Sequence, residues 1–211
     1  LLRLCNRDEL LTRAPALPPT LWAAGARRIL MPIDPPSGGT WVAAHDAGLV
    51  FALLNAKTGS PSPAGEISRG TIIPALVGSA TVSRALAQAQ QIRADRFAPF
   101  RLLIVDRDEI VDCWSEGNCI RHRHTRLHGA VLRTSSGLGD AVVAGPRRAL
   151  FRRTVTGASD AHAAQDWYHR HQWPGREAIS VNRRRRDAAT VSQTIVEVRE
   201  GSVRLSYHPI E

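Results

Sequence analysis

The stretch "FRLLIVDRDEIVDCWSEGNCIRHRH", residues 100–124, constrains the fold more than any other part of this chain. Three strand-like runs are separated only by "DRDE" and "SEGN". Turns that short cannot hold the crossover a parallel pair needs, so the three strands must run antiparallel. The same pattern recurs in "TWVAAHDAGLVFALLN", where two apolar runs flank "HDAG". It returns in "ATVSQTIVEVREGSVRLSYH", whose arms alternate apolar and polar residues about a turn at Glu200-Gly201.

Between these hairpins, residues 70–78 and 82–96 read as helices. The second places Val82, Leu86, Ala89 and Ile92 on one face behind a Thr81 or Ser79 cap. "PRRALFRRT", with Pro146 near its start, and "DAHAAQDWYHRHQW" read as two more. Residues 1–5 form a strand entering Asn6-Arg7-Asp8-Glu9, and "RRILMPI" is strand-like, ending at the turn-rich "DPPSGG". "RAPALPPT" is denied regular structure by its prolines, and "AVLRTSSGLGD" reads as a strand running into a glycine-rich turn. "AKTGSPSPAGEISRG" is the longest loop, of a kind that is often functional. Strands and helices thus come in separate runs, which predicts an α+β fold: antiparallel sheets packed together with helices outside. The 211 residues suit one domain, 1–211.

Composition narrows the function classes. An apolar fraction of 43% and a charged fraction of 22% are ordinary for a globular protein. No apolar run approaches the ~18 residues of a membrane span, and Leu1–Cys5 is too short for a secretory signal. The net charge of +9 sits mostly in residues 121–211, which hold 16 of the 28 basic residues. Lys57 is the single lysine, and no aromatics interleave with the arginines as a single-strand binder requires. Nucleic acid is therefore not the expected partner. Three cysteines, Cys5, Cys113 and Cys119, make no disulfide framework and fit a reducing cytoplasm.

Several clusters carry candidate chemistry. Strand alternation puts Asn6 and Asp8 on one side, where they could orient a nucleophile or its amine, and Arg7 and Glu9 on the other. Arg7 could bind a substrate anion or hold Glu9; the plainer alternative is a charged turn. Gly39, Thr40 and Trp41 stand where the backbone must approach something closely, or where a hairpin simply begins. Asn55, ending "LLN", could donate to an oxyanion or cap a strand end. Ser135 and Ser136 in "TSSGLGD" suit an anion nest, without the Lys or spacing of a Walker loop. His122 and His124 share a strand face, but no ligand follows at a useful spacing, so no metal is expected. His169 and His171 point apart on a helix. Arg183 to Arg186 read as a solvated loop or an anion-binding rim, and Cys5 as a buried, inert thiol.

Taken in order, "CNRDE", a Pro-containing segment, "GGTW", a hairpin ending "LN", "SRG", "TSSGLGD…GPRRALF" and "ATVSQTIVEV" resemble the NRDE family. That family includes the transport-and-Golgi-organisation protein of animals, and the resemblance spans essentially the whole chain. It implies an αββα sandwich like that of N-terminal-nucleophile hydrolases. In those enzymes a mature N-terminal Cys attacks an amide or acyl carbonyl, with its own amine as base. By that pattern the first strand is truncated here: the nucleophile lies upstream of Leu1, and the recorded chain is expected to be inactive. The resemblance gives Asn6 and Asp8 the role of setting the nucleophile's amine and Asn55 an oxyanion role. Arg7 or Arg69 would hold a substrate anion. Ser135 or Ser136 falls where such enzymes place an Asn, and "VSQ" at 191–193 replaces an Arg of animal relatives. The same resemblance allows a different class, a non-catalytic carrier of haem, acyl-coenzyme A or a similar anionic, lipid-like ligand. Neither reading requires a resident cofactor.

Overall fold

The computed structural model describes residues 2–56 and 65–210, with the side chains of residues 2–4 left aside. Two antiparallel sheets account for ten strands among them. The larger has seven strands in sequence order: β2 (Leu17–Ala24), β3 (Arg27–Ile33), β4 (Val42–His45), β5 (Val50–Asn55), β6 (Phe100–Val105), β7 (Glu109–Glu116) and β8 (Cys119–Arg126). The smaller pairs β1 (Leu2–Leu10) and β10 (Ser202–Pro209) on either side of β9 (Ala188–Arg199). Each hairpin read from the sequence forms at the stated turn.

Helices flank both sheets, so the α+β sandwich expected from the order of elements is the observed fold. α1 (Ile72–Leu76) and α2 (Val82–Ala89) cover the outer face of the seven-stranded sheet. Their Ile72, Ile73, Leu86 and Ala89 pack on Phe51, Phe100, Leu102 and Val111. Thr81 caps α2 by accepting from the Arg84 N–H at 3.2 Å. On the other side lie α3 (Asp140–Thr154) and α4 (Ala161–Arg170), with Leu150, Phe151 and Tyr168 as their own small core. α4 packs against β1. Between the sheets, Trp41, Val42, Ala44 and Val50 meet Val196, Val198 and Leu205.

Four local readings are corrected. "RAPALPPT" is not irregular throughout, because β2 starts at Leu17 and carries Pro18 and Pro19. Proline is tolerated there since β2 is an edge strand with one unpaired side. "AVLRTSSGLGD" forms no strand over 130–139; its backbone is held by side chains of other elements, described below. The helix over 82–96 stops at Ala89 and resumes only as a single 3-10 turn at Ala94–Arg96. The helix after "TSSGLGD" begins at Asp140, so Pro146 lies inside it and not near its start. Most of the long loop, residues 57–64, falls outside the described residues.

The small sheet is narrower than the large one. β10 lies over β2, β3 and β4. The inward faces of β6, β7 and β8 look instead toward residues 132–134 and the first turns of α3. This uncovered half of the sandwich is where a site can open.

Candidate functional site

β1 splits the "NRDE" residues between two faces, as its alternation requires. Arg7 points between the sheets. Its guanidinium donates to Asp34 at 2.8 Å and to Glu9 at 3.3 Å, and lies 4.5 Å from the centre of the Trp41 ring. Asp34 also accepts from Arg13 at 2.6 and 2.9 Å and from Ser37 at 2.6 Å. Burial alone would push the Asp34 carboxyl upward. The bonds from Arg13 and Ser37 and the charges of Arg13 and Arg7 outweigh it and hold the pKa below the usual range. Asp34 anchors the "DPPSGG" turn, whose Gly39 presses on Gly70 of "SRG", while Thr40 N–H donates to the Gly70 carbonyl at 2.9 Å. So Arg7, Gly39, Thr40 and Trp41 are gathered at one corner, with Arg69 beside Gly70. The Arg69 guanidinium donates to the Pro99 carbonyl at 2.9 Å.

Asn6 and Asp8 face the α3–α4 layer. Asn6 Nδ2 donates to the carbonyls of His169 and Val181 at 2.9 and 3.0 Å, and its Oδ1 lies 3.0 Å from His169 Nδ1. This amide fastens α4 to β1. Asp8 accepts from the Thr190 hydroxyl at 2.6 Å and lies 3.5 Å from Arg183 Nε, with its side chain 21% exposed. Arg183 is buried by this pairing, so it is set apart from the loop assigned to Arg183–Arg186. Ser135 and Ser136 come to the same side through Arg147, a residue that sequence reasoning missed. Its buried guanidinium donates to Thr134 Oγ1 at 2.8 Å, to the Ser135 carbonyl at 3.3 Å and to the Ile179 carbonyl at 3.0 Å. Ser136 N–H donates to Asp140 Oδ1 at 3.1 Å, which ties the serine turn to the first turn of α3. Asn55 stands apart from both groups. It is exposed and shares the parity of Phe51 and Leu53, which face α1 and α2.

Burial pushes the His169 pKa down to about 4, the charge of Asp166 acting against the shift and that of Arg147 with it. The neutral ring can then donate Nδ1–H to Asn6. Because the folded pKa lies below the unfolded one, the unfolded chain takes up the proton first as pH falls. The contribution is full above pH ~6.5, is lost between there and about 4, and is constant below; at most it amounts to about 3 kcal/mol. Urea unfolding from pH 7 to 4 should show this decline, and His169→Gln should flatten it.

Neither Cys5 nor Cys113 offers an activated thiol. Cys5 is pushed up to about 12 by burial and then by the Asp8 charge, and Cys113 likewise to about 12 by burial and Asp112. Cys119 is exposed, donates weakly to the Glu116 carbonyl, and like the others is free. His122 and His124 meet edge to face at 5.5 Å on β8, and His124 bonds Glu109 at 2.8 Å. Among the described residues no group of three or more His, Cys, Asp or Glu side chains could hold a metal ion. No helix among them is long and apolar enough to cross a membrane.

The open half of the sandwich contains a cleft of about 580 Å³. β6, β7 and β8 supply Arg101, Asp112, Trp114, Arg123 and Thr125, and Leu132 to Thr134 and α3 close the other side. Asp112, 3% exposed, is its fixed point. It accepts from Arg101 at 2.8–2.9 Å and from Arg133 at 2.6–2.9 Å, which brings together residues from β6, β7 and the 130–139 segment. The cleft sits next to two of the residues read from the sequence: Ala56, after Asn55, and Thr134, before Ser135, both line it. The signal that could have found it was the arginine excess beyond residue 120; what no spacing revealed was the single carboxylate that organises it.

An antiparallel αββα sandwich with an arginine-lined cleft at its open end is the class this chain defines. The family model for transport and Golgi organisation 2 matches residues 1–172, and the chain belongs to that family, the one its NRDE segments resemble. No curated protein matches the chain.

Proposed function

We propose that this domain binds a small, partly apolar acyl or haem-like compound carrying an anionic group, in the cleft between the β6–β8 face and α3. One observation carries the reading. Asp112, nearly inaccessible to water, holds Arg101 and Arg133 in the cleft wall, where they remain 31% and 20% exposed. Burying a carboxylate to fix two guanidiniums is costly for stability alone and useful where an anion arrives. Trp114 and Leu132 add apolar surface for the rest of such a ligand. The family resemblance names its class: an amide or other acyl compound, acyl-coenzyme A, or haem held without covalent attachment. Calorimetric titration with haem, an acyl-coenzyme A and a short N-acyl amide tests this. Saturable binding of at least one, weakened in Arg133→Ala, supports the reading; binding of none, or binding indifferent to Arg133, sinks it.

A second reading, hydrolysis of an amide or acyl bond, is favoured by Asp8. Its partly exposed carboxylate is fixed by Thr190 and Arg183 on a strand that pairs only with β9 among the described residues. An amine brought alongside would find its counter-charge in place. In this reading the nucleophile is the N-terminal Cys that the resemblance puts ahead of Leu1, since Cys5 and Cys113 are poor thiolates at neutral pH. Mass spectrometry on a chain extended to that Cys, incubated with amides and thioesters, should trap an acyl adduct on its thiol. Turnover that survives replacing that Cys with Ala would exclude the mechanism.

A further inference from the structure

We propose that the cleft selects a dianionic group, a phosphate monoester or a pair of neighbouring carboxylates, attached to a flat apolar body. This rests on the binding reading above and narrows it to a charge and a shape. The lining residues include four guanidiniums, Arg101, Arg123, Arg133 and Arg148, but only two carboxylates, Asp112 and Asp140. Arg101 and Arg133 are both tied to Asp112. Arg123 enters from β8 and Arg148 from α3, on opposite walls, and neither has a carboxylate partner among the described residues.

Two unpaired guanidiniums across one cleft leave two positive charges uncompensated. A monoanion would satisfy one and leave the other; a dianion meets both, with oxygens enough for more than one N–H fork. The neutral donors fit as well. Thr134 Oγ1 already accepts from Arg147, so its own hydrogen is free to donate, and Thr125 offers a second hydroxyl on the sheet wall. Beside these groups Trp114 presents an aromatic plane and Leu132 an aliphatic edge. A ligand with a ring next to its charged end can therefore lie on Trp114 while its charges reach Arg123 and Arg148.

The test uses four probes of one body and different charge: phenyl phosphate, phthalate, benzoate and benzamide, titrated calorimetrically at one low ionic strength. Phenyl phosphate or phthalate should bind about tenfold more tightly than benzoate, and benzamide most weakly. Which of the two dianions is tighter tells a phosphate site from a dicarboxylate site. Arg123→Ala and Arg148→Ala, both at exposed positions and checked for an unchanged melting temperature, should each bring the dianion down to the benzoate level. Benzoate binding as tightly as both dianions overturns the dianion inference and leaves the binding reading standing. Dianion binding that neither substitution alters places it elsewhere and overturns the inference too. Failure of every probe here overturns the dianion inference even where an acyl ligand binds, and failure of the acyl ligands as well overturns the binding reading too.

Discussion

Asp112→Ala should destabilise the protein by about 3 kcal/mol, toward the low end of the cost of breaking a buried ion pair because both arginine partners keep some contact with water. Asp112 is 3% exposed on the inward face of β7, with Arg101 reaching it from β6 and Arg133 from the 130–139 segment. Removing the carboxylate leaves two like charges facing each other at a half-dry wall. It also releases the side-chain anchor that ties residue 133 to the sheet. Two losses should therefore appear together: a lower urea midpoint, and faster hydrogen exchange over 130–139 than over β6 or β7. Asp112→Asn keeps the shape and an acceptor oxygen while dropping the charge, so it should fall between Ala and the native protein. Equal midpoints for all three would show that Arg101 and Arg133 are indifferent to the carboxylate.

Gly39→Ala should be at least as damaging, at about 3 kcal/mol or more. A Cβ at this position would lie 2.3 Å from the carbonyl carbon of Gly70 and 2.4 Å from its oxygen. Both neighbours are backbone, so no side chain can swing away. Relief would require the Asp34–Gly39 turn and the Ser68–Thr71 segment to separate, which would break the Thr40 N–H bond to Gly70. It would also loosen the Asp34 cluster holding Arg7 and Arg13. Gly38→Ala, one residue earlier, is the useful comparison. It meets no atom within 4 Å and suffers only from its positive φ of 64°, so its cost should be about 1 kcal/mol. Thermal unfolding of the two variants side by side would separate close approach from backbone strain.

How far the sequence led depended on the range of the interaction. The strands over 100–124, the "HDAG" hairpin and the Thr81 cap were legible because each is settled within a few residues by periodicity and turn chemistry. The division of Asn6 and Asp8 from Arg7 and Glu9 followed from alternation alone. Their partners did not. Arg7 meets Asp34 across 27 positions, and Asn6 meets His169 across 163. No local pattern tells a guanidinium awaiting a substrate from one already bonded to the protein. The same limit explains "AVLRTSSGLGD": its apolar start suits a strand, but Arg133 and Thr134 are claimed by Asp112 and Arg147 before any strand partner is met. The cleft depends on contacts of that kind throughout.

The two prolines of β2 have a consequence for behaviour in concentrated solution. β2 is one margin of the seven-stranded sheet and exposes Leu17, Leu21 and Trp22, a combination that invites another chain to add as an eighth strand. Pro18 and Pro19 carry no N–H, so the start of that margin cannot complete a hydrogen-bonded ladder with an incoming strand. The apolar side chains can stay at the surface because the backbone beneath them is a poor template for fibril growth. Replacing the pair by Thr-Val would restore that template, and the protein would then self-associate through an otherwise unchanged native fold.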